Sequence, residues 1–186
     1  MKILIMSASP NQDGLTANCV KQVKSAANEL SQEIIHIDLN KLDIKKCRAC
    51  DNGWGICRTK HECIIEDDFN ESLEFIKKAD AFVIITPVYW WEMSESLKTY
   101  LDRLRRTQAS KRWDNKTSFF INKPVIAVAA AGGSGNGTIP CLASMERFIE
   151  HVGGDKFDFI SVTQKNKKYK LEAIRKAAIT LVSEYI

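Results

Sequence analysis

Five short apolar runs, separated by stretches of helical periodicity, limit this chain more tightly than any single motif. The runs are Lys2–Ser7, Glu33–Asp38, Ala81–Thr86, Val125–Ala130 and Phe157–Val162. The first, third and fourth are almost continuously apolar, as strands buried on both faces should be. The intervening segments repeat apolar residues at spacings of three and four: Val20, Val23, Ala27 and Leu30; Phe69, Leu73 and Ile76; Leu97, Leu101 and Leu104; Leu142, Met145, Ile149 and Val152; Leu171, Ile174, Ala178 and Leu181. Strand and helix in alternation give an α/β, doubly wound, three-layer parallel sheet. Right-handed crossovers leave few topologies, and for 186 residues the order 2-1-3-4-5 is the natural one.

That length suits a single domain over residues 1–186. Two segments break the alternation: residues 41–68, with four cysteines, and residues 107–123, polar with embedded aromatics. Long loops in compact domains are usually functional, so the second reads as a lid or an interface. The run Lys165–Lys170 reads as a solvated turn. No run approaches the roughly 18 apolar residues of a membrane span. The Met1–Met6 run is too short for a signal-peptide core, so a cytoplasmic protein is expected. A net charge of +4 favours anionic ligands slightly without resembling a nucleic-acid binder. Six cysteines in such a chain point to metal, redox chemistry or free thiols.

Three connections fall at the C-terminal edge of such a sheet, where open α/β folds bind ligands. The first, Ser7-Ala8-Ser9-Pro10-Asn11-Gln12-Asp13-Gly14-Leu15-Thr16, brings hydroxyls and backbone N–H groups to a helix N-terminus. It is an anion site, unless Thr16 or Ser9 simply caps the helix. Without a Walker lysine or a GxGxxG, it suits a phosphate monoester. The second, Thr86-Pro87-Val88-Tyr89-Trp90-Trp91-Glu92-Met93-Ser94, offers an aromatic wall. The third, Ala129 to Thr138, is rich in small residues, including Gly132, Gly133, Gly135 and Gly137, that let backbone approach a ligand. A ligand with a phosphate tail and a flat, hydrogen-bonding ring satisfies all three, and FMN is such a ligand.

In these pieces the chain resembles the flavodoxin-like NAD(P)H-dependent FMN reductases, particularly the branch of iron–sulfur flavoproteins. The matching residues are Ser7-Ala8-Ser9-Pro10 with Gly14 and Thr16; Cys47-Arg48-Ala49-Cys50 with Cys57, Cys63 and Asp67-Asp68; Thr86 to Trp90; Ser94, Leu97, Lys98, Leu101, Asp102 and Arg103; and Ala131-Gly132-Gly133. The resemblance implies that Ser7, Ser9, Asn11, Leu15 and Thr16 surround the FMN phosphate. It implies that Pro87, Val88, Tyr89, Trp90, Gly132 and Gly133 surround the isoalloxazine. Asn11 stands where many relatives carry a basic residue. The resemblance also implies hydride from NAD(P)H, a small-molecule electron acceptor such as a quinone or a flavin, and a homodimer. An electron-carrier module exchanging electrons with protein partners is the alternative.

Cys47, Cys50, Cys57 and Cys63, spaced x2, x6 and x5, are candidate ligands for a [4Fe–4S] cluster or a zinc ion. The spacing departs from the compact C-x2-C-x2-C of the iron–sulfur flavoproteins, and free or redox-active thiols are the competing reading. His61 reads as a solvated loop histidine. Cys19 and Cys141 read as semi-buried packing residues, and neither His36 nor His151 has a visible partner. Arg103, Arg105 and Arg106 read as cations ending the third helix, one of which could meet the phosphate of NADPH. No acid–base side chain is required by this chemistry.

Overall fold

The structure, a computed structural model, describes residues 1–185. Strands β1 (Lys2–Ser7), β2 (Glu33–Asp38), β3 (Ala81–Tyr89), β4 (Glu92–Met93), β5 (Pro124–Ala131) and β6 (Asp155–Thr163) alternate with helices α1 (Leu15–Glu29), α2 (Asp68–Lys78), α3 (Glu95–Ala109), α4 (Thr138–Val152) and α5 (Lys167–Tyr185). The five long strands are parallel, in the order β2-β1-β3-β5-β6, with β4 paired antiparallel to β3 off that path. Disregarding β4, this is the expected 2-1-3-4-5 order.

Side-chain alternation along the strands builds two cores. Leu4, Met6, Phe82, Ile84, Val125 and Ala127 face α2, α3 and α4. Ile3, Ile5, Val83, Ile85, Ile126 and Val128 face α1 and α5. A period of two on a sheet covered on both sides requires both sets to be apolar, which explains the unbroken runs. The register pairs Ser7 with Ile85, Ile85 with Val128 and Ala131 with Thr163, so the chain leaves β1, β3 and β5 at one common edge.

Several boundaries differ from expectation. β3 does not stop at Thr86 but runs to Tyr89, because Tyr89 pairs with Glu92 across a two-residue turn. The aromatic connection is therefore a hairpin. α3 continues to Ala109 and is followed by a 3₁₀ turn at Ser110–Asp114, so residues 107–114 are not a loop. Phe120 is fully buried between the rings of Phe82 and Phe148 at 4.2 and 5.7 Å, anchoring the rest of that segment to the core. α5 begins at Lys167, taking up half of the supposed turn Lys165–Lys170. Cys19 and Cys141 are wholly buried rather than semi-buried, and burial pushes each thiol up to about 12. No helix is long and apolar enough to cross a membrane among the described residues.

Candidate functional site

Two clefts open at the shared edge. The first lies at the start of α1 and holds about 260 Å³, with Ser7, Ser9, Asn11 and Thr16 among its walls. Gly14 is the N-cap of α1 and no side chain caps the helix, so Ser9 and Thr16 are not capping residues. The first helical bond within α1 is donated by Asn18 to the Gly14 carbonyl. The N–H groups of Leu15, Thr16 and Ala17 precede it and have no acceptor within the helix. With the helix dipole behind them they suit a phosphate. The loop is held in shape locally: Asn11 N donates to Ser9 Oγ at 3.3 Å and Asp13 N to Asn11 Oδ1 at 3.4 Å. The Leu15 side chain does not line the cleft. It is buried with Ile3 and Ile5, so only its backbone is available there.

His36 does have partners, contrary to expectation. Its Nε2 lies 2.9 Å from Ser7 Oγ and its Nδ1 3.0 Å from Lys24 Nζ. An ammonium can only donate, so Nδ1 accepts and the ring proton sits on Nε2, facing Ser7. Burial, then the positive charge of Lys24, lowers the His36 pKa and keeps this neutral form. Ser7 Oγ accepts that proton, which leaves its own hydroxyl proton free for the cleft. The signal for this was period two: His36 shares a strand face with Ile34, which packs on the α1 side.

The second cleft, of about 280 Å³, is lined by Val88, Trp90, Trp91 and the run Ala131–Asn136. Trp90 and Trp91 form the hairpin turn, both left-handed at φ 49° and 69°, and Trp90 is 95% exposed. Bulky residues adopt this conformation rarely, and such strain clusters at ligand sites. Gly137 lets α4 approach the turn: a Cβ there would lie 2.7 Å from Trp91 Cα, and its φ is 84°. Gly132 and Gly133 are different. A Cβ at either meets nothing within 4 Å, so the protein itself does not require glycine there. The open face beside them is the space a flat ring needs, and the cleft fits an isoalloxazine. Of the six residues assigned to the ring, Val88, Trp90, Gly132 and Gly133 share this cleft. Pro87 is buried within β3, and Tyr89 is exposed outside the lining.

Ser94 joins the two clefts. Its Oγ donates to the Ala8 carbonyl at 2.9 Å, its N–H donates to Thr86 Oγ1 at 3.1 Å, and it caps α3 at Leu97 N. The phosphate loop and the aromatic hairpin are thereby fixed to each other.

Away from this edge, Cys47, Cys50, Cys57 and Cys63 line one narrow pocket of about 20 Å³ with Arg103 and Arg106. Gly55 permits this fold of the chain, since a Cβ there would lie 2.9 Å from Cys50 Cβ. Yet no group of three or more Cys, His, Asp or Glu is assembled to hold a metal ion among the described residues. The four thiols as placed do not fit a cluster or a zinc ion. Burial raises the Cys57 thiol. His61 is not a solvated residue. It is buried, with Nδ1 at 3.0 Å from Ser110 Oγ and Nε2 at 3.3 Å from Asp114 Oδ2, the latter outside hydrogen-bond geometry. Nor does Arg103 end a helix in solvent. It is 1% exposed and paired with Asp67, which also receives the N–H groups of Lys45 and Phe69. Arg106 bonds the Gly53 carbonyl and lies over the Trp54 ring. Both are committed to holding the cysteine segment. Arg105 instead lines a groove between α3 and α4 with His151.

A doubly wound sheet in the order β2-β1-β3-β5-β6, with an uncapped helix N-terminus after its first strand and an aromatic cleft after its third, defines a flavodoxin-like α/β protein. The chain belongs to the NADPH-dependent FMN reductase family, whose model matches residues 1–154. It is 31% identical over 137 residues to an iron–sulfur flavoprotein of Methanocaldococcus jannaschii, covering 74% of this chain and 65% of that one. It is 32% identical over 143 residues to an iron–sulfur flavoprotein of Methanosarcina thermophila, covering 74% and 66%. The chain thus spans just under two thirds of the length of these curated relatives. In fold it is similar to an NAD(P)H:quinone oxidoreductase from Methanothermobacter marburgensis, with a TM-score of 0.74, 18% identity and coverage of 98% and 97%. It is likewise similar to an FMN-dependent NADH-azoreductase from Bacillus anthracis, with a TM-score of 0.71, 16% identity and coverage of 99% of both chains.

Proposed function

We propose that this chain is an FMN-dependent oxidoreductase that takes hydride from NAD(P)H and passes electrons to a small acceptor such as a quinone or a free flavin. The observation that carries this reading is the pair of clefts joined through Ser94: phosphate donors on one side, an exposed tryptophan facing open glycine backbone on the other. FMN, when bound, supplies the hydride chemistry. The chain's own work is positioning. Ser7, Ser9, Asn11 and the N–H groups at the start of α1 would hold the phosphate. Val88 and Trp90 would fix the ring against Gly132 and Gly133, whose backbone donors would lie near its polar edge and favour the reduced anion. The exposure of this edge leaves one ring face for donor and acceptor in turn. A homodimer completing the site and a cytoplasmic location belong to the same reading.

The alternative is an electron carrier. The relatives called iron–sulfur flavoproteins favour it. The excess of basic residues counts against it, since carriers of flavodoxin type usually dock through acidic faces. An anaerobic absorption spectrum before and after NADPH separates the two. A two-banded flavin spectrum that bleaches supports the reductase. One unmoved by NADPH and NADH supports the carrier, and a colourless protein that stays so with added FMN overturns both.

A further inference from the structure

The cleft at the start of α1 is larger than a phosphate monoester requires. Beyond Ser7 and Thr16 it continues between α1 and the edge strand β2, where Lys21, Lys24, His36, Asp38 and Lys41 complete its walls. Three ammonium groups and a neutral imidazole thus face one carboxylate. Lys41 lies 3.4 Å from Asp38, while Lys21 and Lys24 form no ion pair among the described residues. A lysine on the outer face of a helix normally extends into water, at no cost. Lys24 instead turns back against the strand to donate to His36 Nδ1, which fixes its charge at the wall of the cleft. The arrangement is continuous with the phosphate loop, because the same imidazole reaches Ser7.

Direction along the ligand decides what this extension is for. A flavin with its ring against Val88 and Trp90 and its phosphate against Ser7, Ser9 and Thr16 has its ribityl chain on one side of that phosphate. The cationic extension lies toward β2, on the side of β1 opposite β3 and its aromatic hairpin. Chemistry beyond the phosphate of FMN is a second phosphate and an adenosine.

We propose that the groove between α1 and β2 is a second phosphate subsite, formed by Lys21, Lys24 and Lys41, through which the protein accepts the diphosphate of FAD as well as the monophosphate of FMN. The inference rests on the flavin reading above, and it concerns binding alone.

The test is titration of the flavin-free protein with FMN and with FAD, read by flavin fluorescence, for the wild type and a Lys21→Ala/Lys41→Ala double variant. Both substitutions are on the surface and outside the FMN phosphate loop, and retained FMN affinity reports that the variant is folded. FAD is expected to bind about tenfold more tightly than FMN, with that advantage lost in the variant and at high salt. FAD binding no tighter than FMN, or an equal loss for both flavins in the variant, overturns the proposal and leaves the FMN reading standing. A loss in the variant seen only for NADPH also overturns it and gives the groove to the hydride donor. Failure of the wild type to bind either flavin overturns the flavin reading itself, and this proposal with it.

Discussion

Ser94 Oγ donates a 2.9 Å hydrogen bond to the carbonyl of Ala8, tying the start of α3 to the phosphate loop across 86 positions of chain. The same buried oxygen accepts from Leu97 N as the N-cap of α3. Ser94→Ala removes both bonds and orphans a carbonyl. Stability should fall by about 1–2 kcal/mol in urea denaturation. FMN affinity should weaken several-fold as well, since the loop loses its brace.

The glycines of the third loop should separate by role. Gly137→Ala places a Cβ 2.7 Å from Trp91 Cα at a left-handed residue, and should cost at least about 1–2 kcal/mol. A Cβ at Gly133 meets no protein atom within 4 Å, so Gly133→Ala should leave thermal unfolding nearly unchanged and Gly133→Val, reaching further into the cleft, should weaken FMN binding. Unchanged FMN affinity in Gly133→Val, or a loss of stability in Gly133→Ala, would remove the ring assignment.

Trp90→Gly relieves a left-handed tryptophan at φ 49° and takes away a side chain that contacts almost nothing. The folded protein should be unchanged or slightly more stable. Flavin affinity should fall about five- to tenfold through the lost stacking surface, measured by equilibrium titration.

Asp67 gives the fold an acid-sensitive latch. Burial alone would raise its carboxyl, but the Arg103 guanidinium and the N–H groups of Lys45 and Phe69 outweigh it and hold the carboxyl below the usual range. A depressed folded pKa contributes stability above the unfolded value near 4, and that stability is lost as pH falls through the folded value. Wild type should therefore lose stability below about pH 4. Asp67→Asn should lose that part of the pH dependence and cost about 3–5 kcal/mol at pH 7, leaving the Arg103 charge buried without its partner. Denaturation curves from pH 3 to 7 check both.

Iodoacetamide at pH 8 should divide the cysteines into three groups by mass spectrometry. Cys47, Cys50, Cys57 and Cys63 are all partly exposed, and Cys47, Cys50 and Cys63 should react first. Cys57, its thiol raised by burial, should follow. Cys19 and Cys141, fully buried and pushed up to about 12, should react only on unfolding.

All five long strands, their order and the shared edge of three connections were legible in the sequence, because periodicity reports burial directly. Resemblance puts Leu15 and Pro87 beside the ligand, and the fold buries both side chains, leaving Leu15 its backbone N–H at the cleft: a motif position tells which segment meets a ligand, not which of its atoms. His61 and Arg103 went astray for another reason. Their partners Ser110, Asp114 and Asp67 lie 36 to 53 positions away, and no local pattern announces them.

By itself the sequence determined the layered α/β architecture and the three segments that gather at its edge, since alternation of apolar runs with helical repeats admits few other solutions. Only the tertiary structure decided that the aromatic connection is a hairpin turned on two left-handed tryptophans, that α1 begins uncapped, and that Lys24 and His36 extend the phosphate cleft. Each depends on groups brought together across the fold, where hydrogen-bond geometry and desolvation act between residues that the linear chain keeps apart.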